Sequence, residues 1–314
     1  MNIVFLDRKT LGDGIDLSAY SELGEVTVYD FSTPEQAGQR VKEADVLVVN
    51  KVPMNEDTLA EAHRLRLICV TATGTNNLDK DYLQARGIAW RNVEGYSTEC
   101  VAQHTFALLF YLWENLAYYD AYVKEGGYVN DRSFSHFERT FHELSGKAWG
   151  IIGLGAIGRR VAEIAACFGA KVSYYSTSGA HHVRDYPEKD LYSLLAESDI
   201  VSLHCPLTEK TDRLIDARAL SRMKKSAVLI NVARGAVIDE EALAQALEAG
   251  QIAAAGIDVL SVEPMAEDQP LARIKDSGRL LITPHVAWAG VETRQRVMQI
   301  IHGQIREAVE TGLL

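Results

Sequence analysis

One stretch narrows the possible folds more than any other: Lys147 to Ala170, KAWGIIGLGAIGRRVAEIAACFGA. Ala148 to Ile152 is an apolar run too short for a helix and closed at once by glycine, as a buried parallel strand is. Gly153, Gly155 and Gly158 then complete a G-x-G-x-x-G pattern. The first glycine allows a tight turn, the second lets the backbone approach a pyrophosphate, and the third lets the next helix pack close to its strand. Ile157, Val161, Ile164, Ala165 and Phe168 recur at helical spacing until Gly169 stops the helix. Such a junction aims unpaired N–H groups and the positive end of a helix dipole at an anion, so a dinucleotide site is expected here.

The rest of the chain supports two doubly wound parallel-sheet domains, a Rossmann nucleotide domain inserted into a flavodoxin-like substrate domain. From Ile3 to Arg86, apolar runs (IVFL, VLVVN, LICV) alternate with amphipathic helices near Pro34–Ala44, Asn55–Arg64 and Lys80–Arg86. Alternation of this kind means a parallel sheet covered on both faces. After the glycine motif, strands are predicted at Lys171–Tyr175, Ile200–Leu203, Ala227–Asn231, Ala254–Ile257 and Leu280–Thr283, and a last helix over Val291–Thr311. The expected boundaries are residues 1–96 with 289–314 for the substrate domain and 97–288 for the nucleotide domain. Ser97-Thr98-Glu99 caps a long apolar helix, which is expected to be buried between domains or subunits. The aromatic stretch from Tyr118 to Glu143 is either an arm that packs on a second subunit or a surface excursion; a homodimer is expected.

Composition removes several alternatives. A net charge of -11 argues against nucleic acid or an anionic membrane as partner. No apolar run approaches the roughly 18 residues of a membrane span, and MNIVFLDRK reads as a first strand, so the chain is expected to be cytoplasmic. Cys69, Cys100, Cys167 and Cys205 are scattered without metal-ligand spacing; no metal is expected, and buried free thiols are.

Three further segments, in this order after the glycine motif, carry a resemblance: Asn231-Val232-Ala233-Arg234-Gly235, Asp258-Val259-Leu260-Ser261-Val262-Glu263-Pro264 and Thr283-Pro284-His285-Val286-Ala287-Trp288-Ala289. The whole chain resembles the D-isomer-specific 2-hydroxyacid dehydrogenases, and Pro284 to Ala289 is most similar to the glycerate dehydrogenases, or hydroxypyruvate reductases, among them. The resemblance implies hydride exchange between a nicotinamide cofactor and a small anionic 2-keto or D-2-hydroxy acid. Hydroxypyruvate and D-glycerate lead; glyoxylate, D-lactate and phosphoglycerate enzymes are alternatives. His285 is the implied acid, Glu263 its partner carboxylate, and Arg234 the group that holds the substrate carboxylate and polarises the ketone. The chemistry suits them: a carboxylate beside an imidazole favours its protonated form, and a guanidinium is a planar two-pronged donor. Formate oxidation has no use for an acid-base pair, and a dinucleotide-sensing corepressor on this fold would be favoured by a long tail that is not seen.

The loop Ala72-Thr73-Gly74-Thr75 matches the family's carboxylate-binding loop, making Thr73 and Gly74 the implied N–H donors, and Lys51 adds charge. Implied cofactor residues are Ala156 and Ile157 at the pyrophosphate, Pro206 and Thr211 in HCPLTEKT, Asp258 at the nicotinamide amide, and Thr98, Val232, Ala233 and Ala287. One departure stands out. The acidic residue expected about 20 positions after the glycines, where it bonds the ribose of NAD, is replaced by Ser176-Thr177-Ser178-Gly179. Without that carboxylate nothing repels a 2′-phosphate, and His181, His182 and Arg184 add positive charge nearby, so NADP(H) is favoured over NAD(H).

Overall fold

The computed structural model describes residues 1–179 and 185–314. His181, His182 and Arg184 lie outside the described residues. The chain divides into two compact units, Met1–Ser97 with Ala289–Leu314, and Thr98–Trp288.

The first unit is built on five parallel strands: β1 (Asn2–Phe5), β2 (Glu25–Val28), β3 (Val46–Val49), β4 (Leu67–Val70) and β5 (Ala89–Arg91). Their order is β2-β1-β3-β4-β5. β3 and β4 are buried along their whole length, which is why they read as continuous apolar runs. β2 was not legible, since as an edge strand it exposes Glu25, Thr27 and Val28. Val4, Leu6, Leu47, Val49, Ile68 and Val70 form one core with Ala37, Val41, Leu59 and Leu83. The closing helix Val291–Glu310 belongs to this unit and buries Val297, Ile301 and Ile305. Tyr20 ties it down by donating its hydroxyl to the Met298 carbonyl at 2.7 Å.

The second unit holds six parallel strands: β6 (Ala148–Ile152), β7 (Lys171–Tyr175), β8 (Ile200–Leu203), β9 (Val228–Asn231), β10 (Ala254–Ile257) and β11 (Leu280–Ile282). They run in the order β11-β10-β9-β8-β6-β7. A single parallel bridge, Tyr174 to Glu188, adds a rudimentary strand beyond β7. With that bridge counted, the order is the one by which dinucleotide-binding sheets reverse direction beside their first strand. Loops after β6 and β8 flank the reversal, and a Cβ on Gly153 would lie 2.7 Å from the Cys205 nitrogen, so they meet backbone to backbone.

Helix Thr98–Trp113 differs from expectation in what buries it. It packs on its own unit, sharing a core with helix Ala156–Cys167 and with Trp149, Ile151 and Ile230. Gly256 in β10 makes the room: a Cβ there would sit 3.0 Å from the Leu108 Cβ. The thiols also differ in part, because only Cys69 and Cys205 are buried, while Cys100 is half-buried and Cys167 exposed. Among the described residues no helix is long and apolar enough to cross a membrane.

Candidate active site

The three glycines of the motif sit in three different environments. Gly153 turns the chain at φ 91°, a left-handed value that disfavours any side chain. Gly155 is the N-cap of helix Ala156–Cys167, without a side-chain cap, and a Cβ on it would meet nothing within 4 Å. Gly158 is buried against the loop, and a Cβ there would overlap the Gly153 carbonyl oxygen. An open backbone at Gly155, followed by the uncapped N–H groups of a 12-residue helix, is a fitting cradle for a pyrophosphate. At the end of β7, the half-buried Ser176 accepts the Gly179 N–H on its hydroxyl oxygen at 3.1 Å, while Ser178 is exposed. That bond leaves the Ser176 O–H proton available to a ligand. Thr177 is half-buried in the same loop, and Pro206, after β8, is exposed. Thr211, a cofactor contact on the sequence reading, is 1% exposed. Its hydroxyl donates to the Pro206 carbonyl at 2.7 Å and accepts the Thr208 N–H at 2.8 Å. It shapes the loop from within.

Arg234, Glu263 and His285 follow β9, β10 and β11, three neighbours in the sheet. Because all three run parallel, their carboxyl ends and loops share one side. Asn231, fully buried at the end of β9, bends the first loop by accepting the Ala233 N–H and donating to the Arg234 carbonyl, at 3.0 and 2.9 Å. Val232 and Ala233 are buried in it. Arg234 is half-buried and donates one guanidinium N–H to the Ala233 carbonyl at 2.7 Å. The next residue, Gly235, lies directly on the second loop, and a Cβ on it would collide with the Leu260 and Ser261 backbone. From its other side, Glu240 accepts both the N–H and the hydroxyl of Ser261.

In the second loop Glu263 has both oxygens engaged. Oε1 accepts the Leu260 N–H at 2.9 Å, and Oε2 lies 2.7 Å from His285 Nδ1. The pair is about one-third open to solvent, with side chains 33% and 29% exposed. His285 itself sits at φ 55°, a left-handed conformation that costs a non-glycine residue roughly 1–3 kcal/mol. Asp258 maintains it. The Asp258 carbonyl accepts the His285 N–H at 2.8 Å, while its carboxylate accepts the N–H groups of Val286 and Ala287, both at 2.9 Å, and the Thr283 hydroxyl at 2.5 Å. Burial pushes this carboxyl up, but hydrogen bonds from His104, Thr283, Ala287 and Val286 outweigh it and hold Asp258 below the usual carboxylate range. The sequence reading put Asp258 at the nicotinamide amide. At 1% exposure, with both oxygens bonded inside the protein, it fastens the histidine loop, in which Ala287 is also buried.

Thr98 opens helix Thr98–Trp113 and is half-buried. In the first unit Lys51 is exposed and Gly74 half-buried, while Thr73 donates its hydroxyl to the Val93 carbonyl at 2.9 Å. Sequence reasoning missed the group that sets the Lys51 loop. Asp7, 6% exposed at the end of β1, accepts the N–H groups of Asn50, Lys51 and Val52. An acid directly after the first apolar run was the available signal. Burial raises the Asp7 pKa above the usual carboxylate value, against the lowering effect of those bonds and of the Lys51 charge. Among the described residues no cluster suited to a metal ion is found.

Fold and loop geometry thus combine the sheet order of dinucleotide-binding proteins with an imidazole-carboxylate pair. Residues 106–287 match the family model for the D-isomer specific 2-hydroxyacid dehydrogenase, NAD binding domain. A glycerate dehydrogenase from Methylorubrum extorquens is 37% identical over 98% of this chain and 95% of its own, and a hydroxypyruvate reductase from Blautia hydrogenotrophica 34% over 98% and 96%. The solved structure of D-lactate dehydrogenase from Aquifex aeolicus, complexed with NAD and lactic acid, superposes with a TM-score of 0.84 at 29% identity, covering 99% of this chain and 96% of that one. The chain belongs to the D-isomer-specific 2-hydroxyacid dehydrogenase family.

Proposed function

We propose that the protein reduces a small 2-keto acid, hydroxypyruvate first, to the D-2-hydroxy acid, using NADPH in preference to NADH. The observation that carries this is the 2.7 Å contact between His285 Nδ1 and Glu263 Oε2, on loops fixed from beneath by Asp258 and Gly235. The reduced dinucleotide, when bound, supplies the hydride to the ketone carbon. Glu263 fixes the tautomer by accepting the Nδ1 proton, so Nε2 of the imidazolium gives its proton to the ketone oxygen as charge grows there. The histidine is left neutral, to be reprotonated from solvent. Arg234 has N–H groups besides the one on Ala233 to take the substrate carboxylate. Gly155, Ala156 and Ile157 take the pyrophosphate.

The preference for NADPH rests on Ser176, whose hydroxyl proton is available where a carboxylate would repel a phosphate. Substrate choice rests on the relatives named for glycerate and hydroxypyruvate. The test is a panel of hydroxypyruvate, glyoxylate, pyruvate and 3-phosphohydroxypyruvate, each with NADPH and NADH. Hydroxypyruvate with NADPH should give the highest kcat/KM, and turnover with none of the four would refute the reading. The working form is a homodimer that covers the segment 116–143, where Val129, Phe134 and Phe137 are 85%, 88% and 81% exposed. A monomeric mass by light scattering at micromolar concentration would contradict this.

A further inference from the structure

Behind the histidine loop lies an ionisable residue that the mechanism above does not use. His104 stands on helix Thr98–Trp113, its side chain 21% exposed. Its Nε2 is 3.0 Å from the Thr283 hydroxyl and 3.5 Å from Asp258 Oδ1. The Thr283 hydroxyl proton is already given to Asp258, so the oxygen can only accept from His104. The proton on His104 is therefore on Nε2, and a directed chain runs from His104 through Thr283 to Asp258. Asp258 in turn takes the N–H groups of Val286 and Ala287 and, through its carbonyl, that of His285. The loop it holds is strained at His285, so it keeps its shape only while the carboxylate stays charged and bonded.

We infer that His104 is a positioning residue for the reduction: through Thr283 it keeps Asp258 an anionic acceptor, and so holds His285 where its Nε2 meets the ketone oxygen. The inference rests on the dehydrogenase reading. Among the described residues His104, from the helix, is the ionisable side chain paired with Asp258, and His285, on the loop, has its ring bonded to Glu263. Removing the donor at 104 takes away the first of the hydrogen bonds that lower the Asp258 pKa, so that pKa rises. The sign follows: acidification then protonates Asp258 at a higher pH, the Val286 and Ala287 bonds weaken, and the acid side of the activity profile moves upward.

Two variants of the full-length protein test this. His104→Phe keeps a ring but removes the donor, and His104→Gln places an amide N–H near the position of Nε2. In His104→Phe, kcat for hydroxypyruvate should fall on the order of 10- to 100-fold, the loss that an ångström-scale misplacement of a catalytic group brings, with NADPH affinity unchanged. The acid limb of its kcat/KM profile should lie at higher pH, and His104→Gln should restore both. NMR of the Val286 and Ala287 amide protons gives a readout independent of turnover, with a titration midpoint that moves upward in His104→Phe alone. Wild-type turnover with no change in kcat, acid limb or amide titration would overturn the inference, as would equal losses in both variants. A wild type that reduces no 2-keto acid would instead refute the functional reading, and the amide titration would still decide whether His104 controls Asp258.

Discussion

Gly235→Ala offers a direct test of whether the first two catalytic loops act as one body. A methyl group at 235 would collide with the Leu260 carbonyl and the Ser261 nitrogen, which are backbone atoms with no side-chain freedom to yield. To restore the ~3.5 Å separation that non-bonded carbons favour, the loop must retreat by on the order of 1 Å. Glu263 travels with it, and its 2.7 Å contact to His285 Nδ1 has little slack. An ångström of misplacement at a catalytic group costs about 10²-fold in rate, or about 2.7 kcal/mol of barrier. Overpacking should also remove about 1–3 kcal/mol of stability, equivalent to about 2–12 °C in Tm for a domain of this size. The assay is kcat and KM for hydroxypyruvate together with a thermal melt and NADPH binding. A Tm and kcat within error of wild type would show that Gly235 does not press on the Glu263 loop. A loss confined to NADPH affinity would move its role to the cofactor.

His285→Ala should lower kcat by about 10²- to 10⁴-fold while NADPH still binds; wild-type kcat would remove His285 from the mechanism. Arg234→Lys keeps the charge but loses the two-pronged geometry, so kcat/KM should fall at least about tenfold, and full activity would reduce Arg234 to a point charge. Ser176→Asp should shift the NADPH to NADH ratio of kcat/KM toward NADH, mainly through KM for NADPH, since the contact is far from the reacting carbon; an unchanged ratio would detach Ser176 from the ribose. On acid titration the Asn50 to Val52 amides, bonded to Asp7, should respond at higher pH than the Val286 and Ala287 amides, bonded to Asp258, because one carboxyl is raised and the other lowered; the reverse order would contradict both environments.

Strands were legible where burial was complete. β3, β4, β8 and β9 are buried at every position and stand out as unbroken apolar runs. β5 is three half-buried residues, and the bridge at Glu188 is a single pair, so neither leaves a pattern long enough to read. Glu263 and His285 could be named because they occur in family order on loops after strands, and the fold puts them in contact. Their supports could not. Asp7 bonds residues 43 to 45 positions away and His104 a residue 179 positions away, so each looks like an isolated polar residue beside an apolar segment. Asp258 and Thr211 were visible, but their environment was not. A buried carboxylate and an exposed one look alike in sequence, and only the packed loops show which N–H groups Asp258 and Thr211 hold.

The two units solve the same physical problem alike. A parallel strand ends in a loop whose N–H groups lose their ladder partners, and a loop that carries a functional side chain also has to keep one shape. In each unit an aspartate at the end of one strand accepts the N–H groups of the loop after a neighbouring strand: Asp7, after β1, for the loop after β3, and Asp258, after β10, for the loop after β11. The difference lies in what else each carboxylate receives. Asp7 is bonded by backbone N–H groups, with the Lys51 charge as a minor contribution, and burial prevails, so charging Asp7 opposes folding as pH rises through its normal range. Asp258 also receives a hydroxyl and an imidazole from side chains, and these reverse the balance, so its charge stabilises the fold until acid removes it. The better supplied of the two carries the strained histidine. That is where a lost hydrogen bond would displace the reacting group directly, and it explains why an ionisable side chain stands behind this loop.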